Sequence, residues 1–187
     1  TALDLRGTEQ LAQARKVHDA DVMDEPGTHV HRTITIQRSV ADVYGFWRDF
    51  TNLPQFMEHL ESVEMLGGKR SRWRAKAAGA VPVEWEAEMT EDVPSERISW
   101  QSVDNADLYN AGTVHFEEAR DGATRVTVEM QYAPTGGYIG SAILKLFRKQ
   151  PSQQVGDDLR RFKQVMETGE VLLSDATAVD GPHAAHP

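Results

Sequence analysis

The chain has 187 residues, of which 40% are hydrophobic and 26% charged, values typical of one folded domain with additional segments. A net charge of −9 argues against a nucleic-acid-binding surface, which requires a basic stripe. The absence of cysteine excludes disulfides, thiolate catalysis and cysteine-ligated zinc. No apolar run is long enough to cross a bilayer. Residues 1–15 lack the apolar core of a signal peptide. The absence of cysteine is consistent with a cytoplasmic protein, and this location is expected.

The composition divides the chain into three parts. Residues 1–28 are polar and poor in large apolar side chains, and they are predicted to form a polar N-terminal extension. Its acidic stretch before Pro26 lacks the regular spacing of a calcium loop, which favours a solvated linker. The folded domain is predicted to span residues 29–170, and the small polar residues 171–187 are predicted to form a flexible tail.

The start of the domain predicts a strand followed by one or two short helices. His29–Gln37 alternates between apolar and polar residues, as a half-buried strand does. Ser39 is a plausible N-cap for a helix over Val40–Arg48. A second short helix is predicted to begin at Pro54, because proline suits the first turn of a helix.

Alternating stretches then continue to the middle of the chain, with hairpin signals at Gly67-Gly68 and Asp121-Gly122. They predict strands at residues 62–66, 72–77, 83–90, 97–103, 112–118 and 124–132. The short connections favour an antiparallel meander with one dry and one wet face, and strands of this length make the sheet curl. Arg72 and Arg74 are expected to pair across strands with the glutamates at 84, 86 and 88 on the wet face.

The last predicted element is a helical run over Tyr138–Thr168. Four apolar residues at spacings of four, three and four form its predicted buried stripe, namely Val155, Leu159, Phe162 and Met166. Polar residues are assigned to its other side, among them Asp157, Asp158, Arg160 and Arg161. Pro151 predicts a break near residues 149–152, and Gly169 is a natural C-cap. Transient contact of Ile139–Phe147 with a membrane surface stays open as an alternative; membrane insertion is not expected.

The sheet positions predicted to face inward contain no acid, base or nucleophile, so no catalytic residue is predicted. Small residues among large rings (Ala75, Ala77, Ala87 and Gly112) would leave a void for a flat ligand; the alternative is that helix side chains fill the space. The predicted ligand-binding residues are Trp73, Trp85, Met89, Trp100, Tyr109, Val114, Phe116, Met130, Phe147 and Phe162. In this set Tyr109, with its neighbour Asn110, is placed at the pocket mouth.

The histidines give no prediction of a metal or cofactor. His29 and His31 lie two apart on one strand face, a spacing that can bind a metal, but no third ligand is evident. His59 and His115 are isolated in the sequence, and a solvated surface position is expected for both.

Several segments resemble known proteins. The helix that begins Ser39-Val40-Ala41-Asp42-Val43-Tyr44 and the following stretch Trp47–Met57 resemble the opening of polyketide cyclase/dehydrase proteins in the START and Bet v 1-like (SRPBCC) superfamily. Similar segments recur at 83–88, 98–100, 159–163 and 167–170, so the resemblance covers about residues 30–170. It implies an α+β helix-grip fold, with a curved antiparallel sheet of six or seven strands wrapped around a long C-terminal helix. It also implies an internal cavity, in which members bind lipids, sterols, quinones or polyketides.

Three functions follow as hypotheses. The first is binding or carrying a small hydrophobic molecule, such as a lipid, quinone or polyketide-like compound. The second is an aromatase/cyclase-type enzyme acting on a polyketide-like chain, since the resemblance includes a minority of such enzymes. The third is an interaction module whose cavity is filled.

Overall fold

The structure, a computed structural model, describes residues 28–76, 82–104, 106, 108–134 and 150–169. Within these ranges it contains seven strands and two α-helices. In chain order the elements are β1 (Thr28–Ile36), α1 (Val40–Arg48), a 3₁₀ helix (Phe50–Gln55), β2 (Leu60–Gly67), β3 (Arg70–Ala75), β4 (Val83–Val93), β5 (Arg97–Ser102), β6 (Leu108–Glu118), a turn (Arg120–Gly122), β7 (Thr124–Pro134) and α2 (Pro151–Thr168). None of the helices in this part of the chain is long and apolar enough to cross a membrane.

The strands form one antiparallel sheet in the order β1-β7-β6-β5-β4-β3-β2. Six strands follow one another as a meander, and β1 is added beside β7. Register shifts, which bend strands and add twist, interrupt β2 and also β4 between Met89 and Glu91. The curved antiparallel sheet with a C-terminal helix confirms the predicted fold class.

The register between β3 and β4 is the one predicted from the charges. Arg72 lies opposite Glu86 and Arg74 lies opposite Glu84. The Nη2 atom of Arg72 is 3.1 Å from Oε1 of Glu86, and the Nη1 atom of Arg74 is 2.6 Å from Oε1 of Glu84. Because side chains alternate along a strand, these pairs on the wet face direct Trp73 inward.

The helix α1 has the predicted bounds, but the next helix does not. Ser39 caps α1, and its Oγ accepts a hydrogen bond of 3.2 Å from the amide of Asp42. The second helix was predicted to begin at Pro54, which is wrong, because the 3₁₀ helix begins at Phe50 and includes Pro54 near its end. The side chain of Asp49 accepts a bond from the amide of Thr51, and this cap starts the helix earlier.

Several strand boundaries differ from those that the alternation predicted: β3 is shifted to Arg70–Ala75, β5 ends at Ser102 and not at 103, and other strands are longer. β6 begins at Leu108 and not at 112, and β4 continues to Val93 and not 90. The apolar pattern missed these ends because the added residues break the alternation or are polar. Ala77, the predicted end of β3, lies outside the described residues.

The helix α2 begins at Pro151, as expected from the predicted break, and the part of the predicted run before Gln150 lies outside the described residues. Gly169 ends the helix with a φ of 76°, and its amide donates to the carbonyl of Val165 at 2.9 Å. Six residues form the buried side of α2, namely Gln154, Val155, Asp158, Leu159, Phe162 and Val165. The assignment of Asp158 to the polar side was therefore wrong.

The core between α1, α2 and the sheet is built from two groups of aromatic rings. Phe162 of α2 lies 4.6 Å from Phe56 and 5.1 Å from Trp47, measured between ring centroids. In the second group, Trp73 lies 5.8 Å from Trp85 and 6.2 Å from Trp100. Such ring pairs stabilise a core beyond the area they bury, so Phe162 is one of the residues that fix α2 to the rest of the core.

Candidate functional site

A small cavity lies where α2 packs against β7 and the segment around the 3₁₀ helix. Its volume is about 10 Å³, and it is lined by Trp47, Phe56, Met57, Val128, Met130, Val155, Asp158 and Leu159. This volume is close to the minimum for one water molecule. All of the lining residues except Asp158 are apolar or aromatic. We call this space the inner cavity.

Asp158 carries the only charge among the residues that line the inner cavity, and its side chain is only 4% exposed. Its Oδ1 atom accepts hydrogen bonds from Gln154 Nε2 at 3.1 Å, Arg161 Nη1 at 2.8 Å and the amide of Glu58 at 3.2 Å. Its Oδ2 atom lies 3.6 Å from His59 Nδ1 and has no hydrogen-bond partner among the described residues. Oδ1 is thus fully used, and Oδ2 is the oxygen that a ligand could engage.

His59 belongs to this site, contrary to the prediction of a solvated surface position. Its side chain is only 9% exposed and faces the carboxylate of Asp158. Arg161 also donates to Glu58 Oε2 at 2.7 Å. Glu58, His59, Gln154, Asp158 and Arg161 thus join α2 to the segment that precedes β2, and we call these five residues the Asp158 cluster. His115, the other histidine assigned to the surface, is half-buried.

The inner face of the sheet carries further polar groups. The indole of Trp100 donates from Nε1 to Oδ1 of Asn110 at 2.9 Å, and Asn110 is 1% exposed. The hydroxyl of Tyr132 is buried and lies 3.6 Å from the sulfur of Met130. Burial, together with the negative charge of Asp158, raises the pKa of Tyr132, so this phenol stays protonated to more alkaline pH than an exposed tyrosine does. The expectation of an interior without titratable groups is therefore wrong.

The predicted ligand-binding residues occupy three different places. Eight of them are buried inside, namely Trp73, Trp85, Met89, Trp100, Val114, Phe116, Met130 and Phe162. Met130 is the one among these eight that lines the inner cavity. Tyr109 lies on the opposite face of the sheet, and Phe147 lies outside the described residues. The other seven residues that line the inner cavity were missed, namely Trp47, Phe56, Met57, Val128, Val155, Asp158 and Leu159. The apolar pattern around the apolar ones was visible but indicated only core.

The void expected at the small residues is absent at Gly112. Gly112 lies directly opposite Trp100 in the pairing of β5 with β6, and the indole covers the glycine. Ala75 and Ala87 are completely buried. The missing side chain of Gly112 therefore makes room for a tryptophan ring, and Ala77 lies outside the described residues.

Tyr109 lines a groove on the outer, solvent-facing side of the sheet, with a volume of about 550 Å³. Its rim includes His29, His31 and Glu129, and its floor includes Ala111. The Nδ1 atom of His31 lies 3.2 Å from Oε1 of Glu129. We call this feature the outer groove. No group of three or more potential metal ligands occurs in the part of the chain that the structure describes.

The antiparallel sheet closed by a C-terminal helix over a small interior cavity defines a helix-grip protein. The family model described as "Polyketide cyclase / dehydrase and lipid transport" matches residues 36–160. The chain belongs to this family.

Individual relatives agree with this assignment. A 17.2 kDa protein of Streptomyces lincolnensis, encoded in the melC2–rnhH intergenic region, is 30% identical over 144 residues, which cover 74% of this chain and 89% of that protein. A crystal structure of a Deinococcus radiodurans protein is 41% identical with a TM-score of 0.63, and the match covers 76% of this chain and 99% of that one. A START superfamily protein of Mycobacterium smegmatis, 14% identical with a TM-score of 0.57, shares the fold over 73% of this chain and 98% of its own.

Proposed function

We propose that this protein binds a small, mostly apolar molecule between the inner face of the sheet and α2. The observation that supports this proposal is the composition of the inner cavity, where seven apolar or aromatic residues surround one buried carboxylate. Ligand sites typically combine an apolar wall with a few convergent polar groups, and this cavity has that composition. The family description, which includes lipid transport, is consistent with it.

Binding requires the inner cavity to expand. Its volume of about 10 Å³ is far below the roughly 300 Å³ at the small end of typical ligand pockets. Met57 and Met130 line the cavity, and methionine is the apolar side chain that most easily changes its shape. Rotation of these two side chains is the least costly way to begin the opening.

We infer that α2 opens on the side of Asp158, because this residue lines the inner cavity. Along β1, Arg32 Nε donates to the carbonyl of Ser152 at 2.9 Å, and Lys163 Nζ donates to the carbonyl of Thr35 at 2.7 Å. On the other side the helix is held by the Asp158 cluster. Ligand entry on that side leaves the β1 contacts intact and changes the environment of His59, which makes this residue a reporter of binding.

The test uses N-phenyl-1-naphthylamine, an uncharged fluorophore that brightens in apolar surroundings. We expect saturable binding with one probe per chain. Val155→Trp fills the inner cavity from α2 and should abolish binding, whereas Met65→Trp, at an exposed position, should leave it unchanged. Val155→Met provides a milder block if the larger residue prevents folding, which circular dichroism reveals. Unchanged binding in a folded Val155 variant would contradict the proposal.

A second candidate function is an aromatase/cyclase-type enzyme acting on a polyketide-like chain. The observation in its favour is that Asp158, His59 and the phenol of Tyr132 share the interior, because these residue types serve in general acid–base catalysis. Incubation with a polyketide-like chain followed by mass spectrometry separates the two functions. If product forms equally well with Asp158→Asn and Tyr132→Phe, side-chain catalysis by this cluster is ruled out.

A further inference from the structure

The inner cavity is lined by two residues that each carry a buried polar atom without a hydrogen bond among the described residues; the nearest donor to one of them, Oδ2 of Asp158, is His59 Nδ1 at 3.6 Å. Oδ2 of Asp158 is an acceptor, and Nε1 of Trp47 is a donor. Asp158 is 3% exposed and Trp47 is 0% exposed. Neither atom has a hydrogen-bond partner among the described residues. Buried polar groups are nearly always paired in folded proteins, so two unpaired groups at one cavity require an explanation.

The two atoms require opposite kinds of hydrogen-bond partner. A carboxylate oxygen needs a donor, and an indole N–H needs an acceptor. A ligand carbonyl or ether oxygen would satisfy only Trp47, and an ammonium group would satisfy only Asp158. A hydroxyl group both donates and accepts, and it is small enough for the present volume of about 10 Å³.

We propose that the ligand of the inner cavity carries a hydroxyl group, alcoholic or phenolic, which donates to Oδ2 of Asp158 and accepts from Nε1 of Trp47. This inference rests on the proposed function and specifies the chemical class of its ligand. The hydroxyl is attached to an apolar skeleton, because the remaining lining side chains offer only apolar contact, Phe56, Val155 and Leu159 among them.

The surrounding contacts fix the carboxylate for this role. Gln154, Arg161 and the amide of Glu58 all bind Oδ1 of Asp158, which holds the carboxyl group in one orientation. The other oxygen therefore needs no rearrangement of the carboxyl group to meet a ligand. Preorganised groups of this kind discriminate well, because a ligand without the matching polar atom leaves them unpaired.

The experiment compares 1-naphthol with 1-methylnaphthalene, which share a ring system and a similar size but differ in the hydroxyl group. Binding of each is measured by titration calorimetry with the full chain. We expect 1-naphthol to bind about tenfold more tightly, the difference that roughly one net hydrogen bond makes. Trp47→Phe keeps an aromatic ring and removes the N–H, and it should reduce this preference severalfold.

The matched control is Trp85→Phe. Trp85 also has a buried Nε1 without a hydrogen-bond partner among the described residues, but it does not line the inner cavity. Its replacement should leave the preference for 1-naphthol unchanged. If circular dichroism shows that Trp47→Phe does not fold, Asp158→Asn tests the contact from the other side. The three donors around Oδ1 hold the amide oxygen of asparagine there, so an NH2 group replaces Oδ2 and cannot accept the proton of the ligand hydroxyl.

The outcomes separate this inference from the proposed function. If neither naphthalene binds to the unmodified protein, the proposed function itself fails. If both bind with equal affinity, or if the preference persists in Trp47→Phe and Asp158→Asn, the hydroxyl inference is overturned and apolar binding stands.

Discussion

Trp100 and Gly112 face each other across β5 and β6, and the indole occupies the space that a side chain at position 112 would need. A Cβ atom on Gly112 would lie 2.3 Å from Cζ2 of Trp100, far inside van der Waals contact. Trp100 cannot easily move away, because its Nε1 is bound to Asn110 and its ring packs on Trp73. The glycine is thus required by the packing of the core and not by an open ligand pocket.

This relationship predicts that Gly112→Ala destabilises the protein. Overpacking of a core typically costs about 1–3 kcal/mol, and the held indole places this site toward the upper end. Gly45→Ala is the control, since a Cβ there meets nothing within 4 Å and alanine favours the helix by up to about 1 kcal/mol. Urea unfolding of both variants checks the prediction, and a loss of stability in Gly45→Ala as large as in Gly112→Ala would refute it.

Asp158 should contribute strongly to stability. Asp158→Ala leaves Nη1 of Arg161, the amide of Gln154 and the backbone amide of Glu58 without this acceptor. Breaking a fully buried, hydrogen-bonded charge pair usually costs about 3–5 kcal/mol, and the 27% exposure of Arg161 places the expected loss near the lower end of this range.

An exposed carboxylate provides a control for Asp158. The side chain of Glu64 is 68% exposed and lies 3.7 Å from Arg72, and Glu64→Ala should change the free energy of unfolding by less than about 0.5 kcal/mol. Equal effects of the two substitutions, measured by chemical denaturation, would show that the Asp158 cluster is not a structural link.

The placement of Asp158 shows where sequence reasoning failed. Asp158 is three residues after Val155 and four before Phe162, so the helical period itself puts it on the buried stripe. The charged side chain of Asp158 led to its assignment to the polar side. Its carboxylate can be buried because residues from another part of the chain contact it. His59 was missed for the same reason, since its partner Asp158 is 99 residues away.

Local patterns predicted most of the fold. Pairing Arg72 and Arg74 with the glutamates of β4 predicted both the register of the two strands and the face that points inward. Ser39 correctly predicted the start of α1. The candidate site depends on long-range contacts that no local pattern contains. Gly112, for example, indicates a void if no large side chain lies across from it, and a filled core if Trp100 does.

Tyr132 predicts a loss of stability at alkaline pH. Its pKa is raised in the folded protein above the ordinary value of 10.0, first by burial and then by the charge of Asp158. Above pH 10 the unfolded chain loses this proton while the folded protein keeps it. Above pH 10 the free energy of unfolding therefore falls by up to about 1.4 kcal/mol per pH unit because of this group alone. Below pH 10 the contribution of Tyr132 to stability is fully present.

Tyr132→Phe tests this linkage. The variant should lose less stability than the unmodified protein when urea unfolding is compared at pH 9 and pH 11. If both proteins lose the same amount over this interval, the buried phenol is not the source of the alkaline sensitivity.

The ion pairs on the wet face should matter little. Arg72 and Glu86 have side chains that are 45% and 33% exposed, so solvent and salt screen their attraction. A double-mutant cycle with Arg72→Ala and Glu86→Ala is expected to give a coupling below about 1 kcal/mol, which decreases further in 1 M salt. A larger coupling that salt does not change would contradict this expectation.

A crystal structure of the protein with 1-naphthol is the most direct test of binding between the sheet and α2. The account predicts the naphthalene rings between Met57, Met130 and Val155, with the hydroxyl oxygen in contact with Asp158 and Trp47. An interior that keeps its volume of about 10 Å³, with 1-naphthol only in the outer groove or nowhere, would contradict the account and favour a filled interaction module.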